Sequence, residues 1–326
     1  MALAGLALAA AAPVSWRWPT PPVPQDNPMT ADKVALGRRL FYDADLSING
    51  TMACSACHEQ KRGFTDGNAT RPGVHGDPGL RNVPGLANVA WRKRLTWADA
   101  ALTRLEDQVG IPLFGDHPVE MGMKGQEAEL GRRLGKDACY RAMFAKAFPE
   151  KKGRIDATAV SAALAAFERT MISFGSPYDH FLAGKESTLS PAARRGYAVF
   201  SARGCLSCHG GRDLTDDALH AILPGAPADR GLMEKTGLSA DRDHFRTPSL
   251  RNVAVTGPYL HDGSAATMAE AIRRHAIPPA TGPLTDVQMT GSQMADMTAF
   301  LDSLTDPAFL SDQRLSMPAR ACGRPL

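Results

Sequence analysis

A mainly α-helical chain in two similar halves, with little strand, is what the sequence predicts. Three observations carry this. Helix-period apolar runs recur behind good N-terminal capping residues; a helix-then-cysteine unit occurs twice; and alternating runs of β-branched and aromatic residues are nearly absent.

In chain order, MALAGLALAAAA reads as the apolar region of an export signal ending in small residues, without the usual basic start. It is too short to span a membrane, and no other stretch approaches that length. The proline-rich SWRWPTPPVPQDNP that follows suits an extended surface arm, and together these segments make up residues 1–26. Next, T30ADKVALGRRLF41 reads as a helix with a hydroxyl cap, followed by C54SACH58. The unit returns as S190PAARRGYAVF200, with Pro191 at the first helical position, followed by C205LSCH209. Each helix carries Gly-x-x-apolar-Phe, at Gly37–Phe41 and Gly196–Phe200. Between the units, D156ATAVSAALAAFERTMISF174 has apolar residues at 160, 164, 167 and 171, an amphipathic helix capped by Asp156. The polar stretch 183–190 divides the chain into domains 27–185 and 186–326. The Gly-, Pro- and Asp-rich stretches 62–100 and 210–265 suit ordered loops wrapped around cofactors. Near the end, E270AIRRHAIPP279 ends a helix at two prolines, with His275 in the last turn. A dipole-satisfying histidine is the ordinary reading of that position.

A net charge of +3 on 326 residues, without a Lys/Arg run, argues against nucleic acid as a partner. Six cysteines are more informative. Four lie in two CxxCH motifs, the attachment pattern of c-type haem: Cys54, Cys57, Cys205 and Cys208 add to the vinyl groups, and His58 and His209 become proximal iron ligands. A zinc site of four cysteines would leave both histidines unexplained. The expected fold is therefore two cytochrome c-like domains, each with one covalently bound haem. Cys139 and Cys322 are open to two readings, a disulfide or two free thiols.

Seven segments resemble the bacterial di-haem cytochrome c peroxidase and MauG family: L36GRRLFYDADLS47, C54SACH58 with G63FTDG67, R81NVPGLANVAW91, T96WADA100, P118VEMGM123, S176PYDHFL182 and F245RTPSLRNVAVTGPYLHDGSAAT267. They run in consistent order over residues 27–304. The resemblance implies a peroxide-binding haem on His58, with Glu120 at the position of the distal acid, and a second haem with a fixed sixth ligand. That ligand is a methionine in the peroxidases and a tyrosine in MauG-type enzymes; here the position is His275. His220, His244 and the methionines at 289, 294 and 297 compete for it, although 294 and 297 suit the buried face of a last helix. Trp97 matches the tryptophan between the haems, and Asn82, Thr256 and Pro258 match a calcium site between the domains. His75 is equally a distal ligand or a loop histidine, and His261 has no role read from the sequence. Trp16, Trp18 and Trp91 read as packing residues.

The resemblance thus implies a periplasmic oxidoreductase with two c-type haems and Ca2+. It would use hydrogen peroxide to reach a high-valent di-haem state and oxidise an aromatic residue of a partner protein by long-range electron transfer. In the methanobactin-associated subgroup this implies tryptophan oxidised towards kynurenine. The alternatives are a cytochrome c peroxidase fed by a small electron-donor protein, and a di-haem electron carrier with no substrate.

Overall fold

The computed structural model describes residues 20–221, 229–275 and 289–325; the signal-like run, Trp16, Trp18 and the prolines after His275 lie outside them. Its core is two helix pairs. In the first, Ala31–Phe41 crosses Ala157–Glu168. The Thr30 hydroxyl accepts from the Lys33 N–H, and the Asp156 carboxylate accepts from the Ala159 N–H, so both caps read from the sequence form. Val160, Leu164, Phe167 and Met171 are all buried. The second pair is Pro191–Ala202 against Gly291–Asp302, with Ser190 and Thr290 as caps.

The sequence repeat is a packing repeat. A Cβ on Gly37 would lie 1.9 Å from the Ala163 carbonyl oxygen, and one on Gly196 would lie 1.9 Å from that of Asp296. Alanine would favour the helix by about 1 kcal/mol. Overpacking a crossing costs about 1–3 kcal/mol, so glycine wins at both positions. Four residues on, Phe41 and Phe200 enter the two apolar clusters. The first cluster gathers Leu36, Leu40, Phe64, Phe144 and Phe167; the second gathers Tyr178, Leu189, Met297, Phe300 and Leu301.

The helix expected through residue 174 ends at Glu168, with Arg169 as its C-cap. A distant residue takes over the backbone bonds that would continue it. Asn88 donates its N–H to the Met171 carbonyl (2.8 Å), and its side-chain oxygen accepts from the Ser173 N–H (2.8 Å). The segment 62–100 holds little regular structure. In 210–265 the described strand is one antiparallel pair, Leu219–Ala221 with His244–Arg246.

These loops are ordered by buried polar contacts. Arg251 donates to both carboxylate oxygens of Asp179 at 2.9 Å, and both side chains are buried. Asp179 also closes a capping box with Ser176, so two of the quoted segments, SPYDHFL and the one containing Arg251, lock together. Breaking such a pair from one side costs about 3–5 kcal/mol, because the other charge is left buried. Cys139 and Cys322 form a disulfide, Cα–Cα 5.8 Å, which ties the Ala138–Ala147 helix to the C-terminal segment. Among the described residues no helix is long and apolar enough to cross a membrane.

Candidate di-haem site

Each CxxCH histidine is held for ligation by the local fold. The His58 Nδ1 sits 2.7 Å from the Phe64 carbonyl, in the G63FTDG67 loop that turns back beneath the motif. The His209 Nδ1 sits 3.2 Å from the Leu214 carbonyl. Giving the Nδ1 proton to a carbonyl fixes the tautomer and leaves the Nε2 lone pair free for a metal. Burial lowers the basicity of both rings, His209 to about 4, so at neutral pH each presents the ligating, uncharged form. The paired thiols Cys54, Cys57 and Cys205, Cys208 are free and partly buried beside them.

The His209 pocket opens into a cavity of about 500 Å3, lined by Cys205, Cys208, His209 and His275 among others. This is within the range that cofactors occupy. His275 caps the Met268–Arg274 helix; its Nδ1 is 2.8 Å from the Ala271 carbonyl, and the residue is half-buried. The His209 and His275 ring centres are 6.4 Å apart. A metal–imidazole bond is about 2.0 Å and the ring centre lies about 1.2 Å behind the nitrogen, so two imidazoles sharing one metal stand about 6.4 Å apart. The spacing therefore fits one iron between the two rings. The other candidates are placed differently. His220 pairs with Asp216 at 2.8 Å, and the His244 Nδ1 meets the Arg242 carbonyl at 3.0 Å. Met297 lines the cavity as a buried core residue, and Met289 packs at the edge of the same cluster.

The His58 pocket is smaller and is lined by Cys54, Cys57, His58, Gln108, Pro112, Glu120, Met121 and Glu168 among others. The loop carrying Glu120 is pinned on both sides: its carbonyl accepts from the Val74 N–H (2.7 Å), and the Met121 N–H donates to the Pro112 carbonyl (2.9 Å). Burial raises the Glu120 pKa above the ordinary carboxylic range. His75 is exposed, stands beside Gly122 and does not line this pocket.

Trp97 stands in the large cavity beside the second motif and the loop that follows the first. It is 9% exposed and lines the large cavity together with Gly63 and Thr65 of the first motif's loop and Cys205, Cys208 and His209 of the second. Its indole N–H donates to the Asn82 carbonyl at 2.7 Å, and the buried Arg246 guanidinium stands 5.8 Å from its ring. Asn82, Thr256 and Pro258 line the same cavity. The Asn82 amide nitrogen donates to the Asn68 and Ala69 carbonyls, which leaves its side-chain oxygen, a hard ligand, for a cation. His261 is buried, stacked 3.6 Å on Phe245, with its Nε2 unpartnered. Trp91 packs against Phe174, as the packing reading expects.

Sequence reading missed Gln108, Arg246 and Glu168. A signal existed for Glu168. It stands four residues after Leu164, on the buried face of an alanine-rich helix, where a charged residue is out of pattern.

The profile of di-haem cytochrome c peroxidase matches residues 31–187, and that of cytochrome c matches residues 193–305. The chain is 32% identical to the methylamine utilization protein MauG of Methylophilus methylotrophus over 309 residues, covering 91% of this chain and 89% of that protein. It is 33% identical to the cytochrome c peroxidase Ccp of Escherichia coli (strain K12), covering 88% of this chain and 61% of that one. A crystal structure of a MauG-like protein associated with microbial copper homeostasis superposes with a TM-score of 0.84 at 40% identity, covering 94% of this chain and all of that one. The chain belongs to the di-haem cytochrome c peroxidase and MauG family of haem-dependent oxidoreductases, which carry two c-type haems.

Proposed function

We propose that this is a MauG-like enzyme that uses hydrogen peroxide to oxidise an aromatic residue, tryptophan towards kynurenine, on a partner protein in the periplasm. The observation that carries the reading is the His209–His275 pair, with ring centres 6.4 Å apart and each Nδ1 turned to a backbone carbonyl. Histidine in place of a thioether lowers the reduction potential of the second haem. Such a site is a poor acceptor from small cytochromes and a better holder of oxidising equivalents. The haems, attached through Cys54, Cys57, Cys205 and Cys208, supply peroxide activation and storage of two oxidising equivalents.

The chain's own residues take the remaining roles. His58 holds the first iron, and His209 with His275 holds the second. Glu120 moves the proton that O–O cleavage requires. Trp97 offers an indole path between the sites, with Arg246 beside it. Asn82, Thr256 and Pro258 hold a Ca2+ that fixes the geometry between the halves. The copper-homeostasis neighbour, at 40% identity, supports the MauG-like reading. The E. coli relative supports the second reading, a peroxidase reducing peroxide to water with electrons from a small donor. A mere electron carrier would have no use for a buried acid on the wall of the first pocket.

A donor assay separates the two enzyme readings. With reduced cytochrome c as sole donor, the MauG-like reading predicts peroxide turnover at least about tenfold slower than chemistry-limited peroxidases sustain, below about 1 s−1. Rapid sustained turnover would establish the detoxifying peroxidase instead.

A further inference from the structure

We infer that Glu168 is a second proton-holding carboxylate of the His58 pocket, which supplies protons to the peroxide chemistry in which Glu120 takes part. The inference rests on the peroxide chemistry proposed above.

Glu168 ends the Ala157–Glu168 helix, which packs on the Leu105–Gln108 helix that also contributes Gln108 to the pocket. The residue is 6% exposed and lines the same pocket as Cys54, His58 and Glu120. Its Oε2 is fully buried and has no hydrogen-bond partner. An ionised carboxylate in that position would carry the full cost of an unpaired buried charge, so the neutral acid is the form this environment holds. Burial pushes its pKa up to about 8, against the pull of Arg169 and with a further push from Glu106.

The groups facing it come from several elements. Arg169 follows it in sequence and is paired to Glu106 at 2.8 Å. Glu106 also accepts from Asn27 (2.7 Å), whose own oxygen accepts from Lys33 (3.2 Å). Arg104, exposed, reaches Glu106 at 4.0 Å and Asp26 at 2.7 Å, which brings this network to solvent. On the pocket side stand Glu120, the neutral His58 and Cys54, and the Cys54 sulfur no longer titrates once it is joined to haem. A charged chain thus runs from Glu106 and Arg169, the residue after Glu168, to the surface, while the Glu168 Oε2 itself stays unpartnered in the pocket wall.

The stoichiometry requires a supply of protons. Reducing one peroxide to two waters breaks the O–O bond, consumes two electrons and forms two new O–H bonds. The electrons come from the oxidised side chain or donor protein at a distance. The protons released there are not released in the His58 pocket, so two protons per turnover must enter it from solvent. Glu120, a base in one step and an acid in the next, ends as it began, so the two protons come from elsewhere; Glu168, still protonated at neutral pH, supplies one and is then reprotonated from solvent.

The test compares wild-type, Glu168→Gln, Glu168→Asp and Glu120→Gln holoenzymes. In wild type, an infrared carbonyl band of a buried carboxylic acid is expected at pH 7, fading as pH rises through about 8. It is lost in Glu168→Gln and moved in Glu168→Asp, which keeps the acid should the glutamine variant misfold. Thermal stability gives a second readout. A folded-state pKa raised above the unfolded one gives stability that is complete below the unfolded pKa and lost as pH rises through the folded one. Wild type should therefore lose stability relative to Glu168→Gln between about pH 4.5 and 8. Peroxide turnover at pH 7 should fall about tenfold in Glu168→Gln, with partial rescue by aspartate. An unchanged infrared band and pH profile in Glu168→Gln would overturn the inference. If Glu120→Gln loses the peroxide reaction while Glu168→Gln does not, only this inference fails. If neither variant changes it, the reading of the His58 pocket fails with it.

Discussion

Replacing His275 by methionine should turn the second site into a thioether-ligated one. Its reduction potential is expected to rise by on the order of 0.1–0.3 V, with a charge-transfer band appearing at about 700 nm. The geometry favours this outcome because position 275 caps its helix with its ring centre 6.4 Å from that of His209, and methionine is long and flexible enough to reach the same point. The variant should accept electrons from reduced cytochrome c faster and lose activity towards an aromatic protein substrate. A spectrum and potential identical to wild type would mean that His275 is not the ligand. That would leave its half-buried ring, fixed to the Ala271 carbonyl, without a role.

Glu120→Gln should slow the reaction with peroxide by about 100-fold or more, since a positioned acid–base group contributes about 10²–10⁴. Glutamine keeps the shape and the burial but cannot carry the proton. Stopped-flow mixing of the ferric holoenzyme with peroxide measures this directly. The pH dependence has a definite sign. Burial raises the Glu120 pKa, so the limb of the rate profile that needs its carboxylate should begin above the ordinary carboxylic range and be absent in the variant. A rate within twofold of wild type would remove Glu120 from the chemistry.

Where a function depends on local pattern, the sequence was readable. CxxCH fixes thiol and imidazole within five residues, and the caps at Thr30, Asp156 and Ser190 depend on bonds spanning three. The Gly-x-x-apolar-Phe repeat was visible, although its purpose, bringing helix backbones together at Gly37 and Gly196, needed the partner helices Ala157–Glu168 and Gly291–Asp302. The resemblance pointed to His275 through its position, and the facing ring gives that position a geometry.

What escaped the sequence was nonlocal. Asn88, more than eighty residues away, ends the helix at Glu168 by capturing Met171 and Ser173. The Asp179–Arg251 fork joins segments 72 residues apart, and the disulfide joins residues 183 apart. Glu168 was hidden for a related reason. Its spacing from Leu164 places it on the apolar face, but its residue type says surface, and the packing of its helix sets it in the pocket wall with Cys54 and Glu120.

In the proposed function, oxidising equivalents from peroxide leave this protein through an aromatic side chain of another. Mass spectrometry of candidate periplasmic partner proteins, after incubation with holoenzyme and peroxide, tests it most directly. A mass change is expected on a tryptophan of one partner, absent without peroxide and lost with Glu120→Gln or His275→Met. Peroxide consumption with no modified aromatic residue on any partner would contradict it.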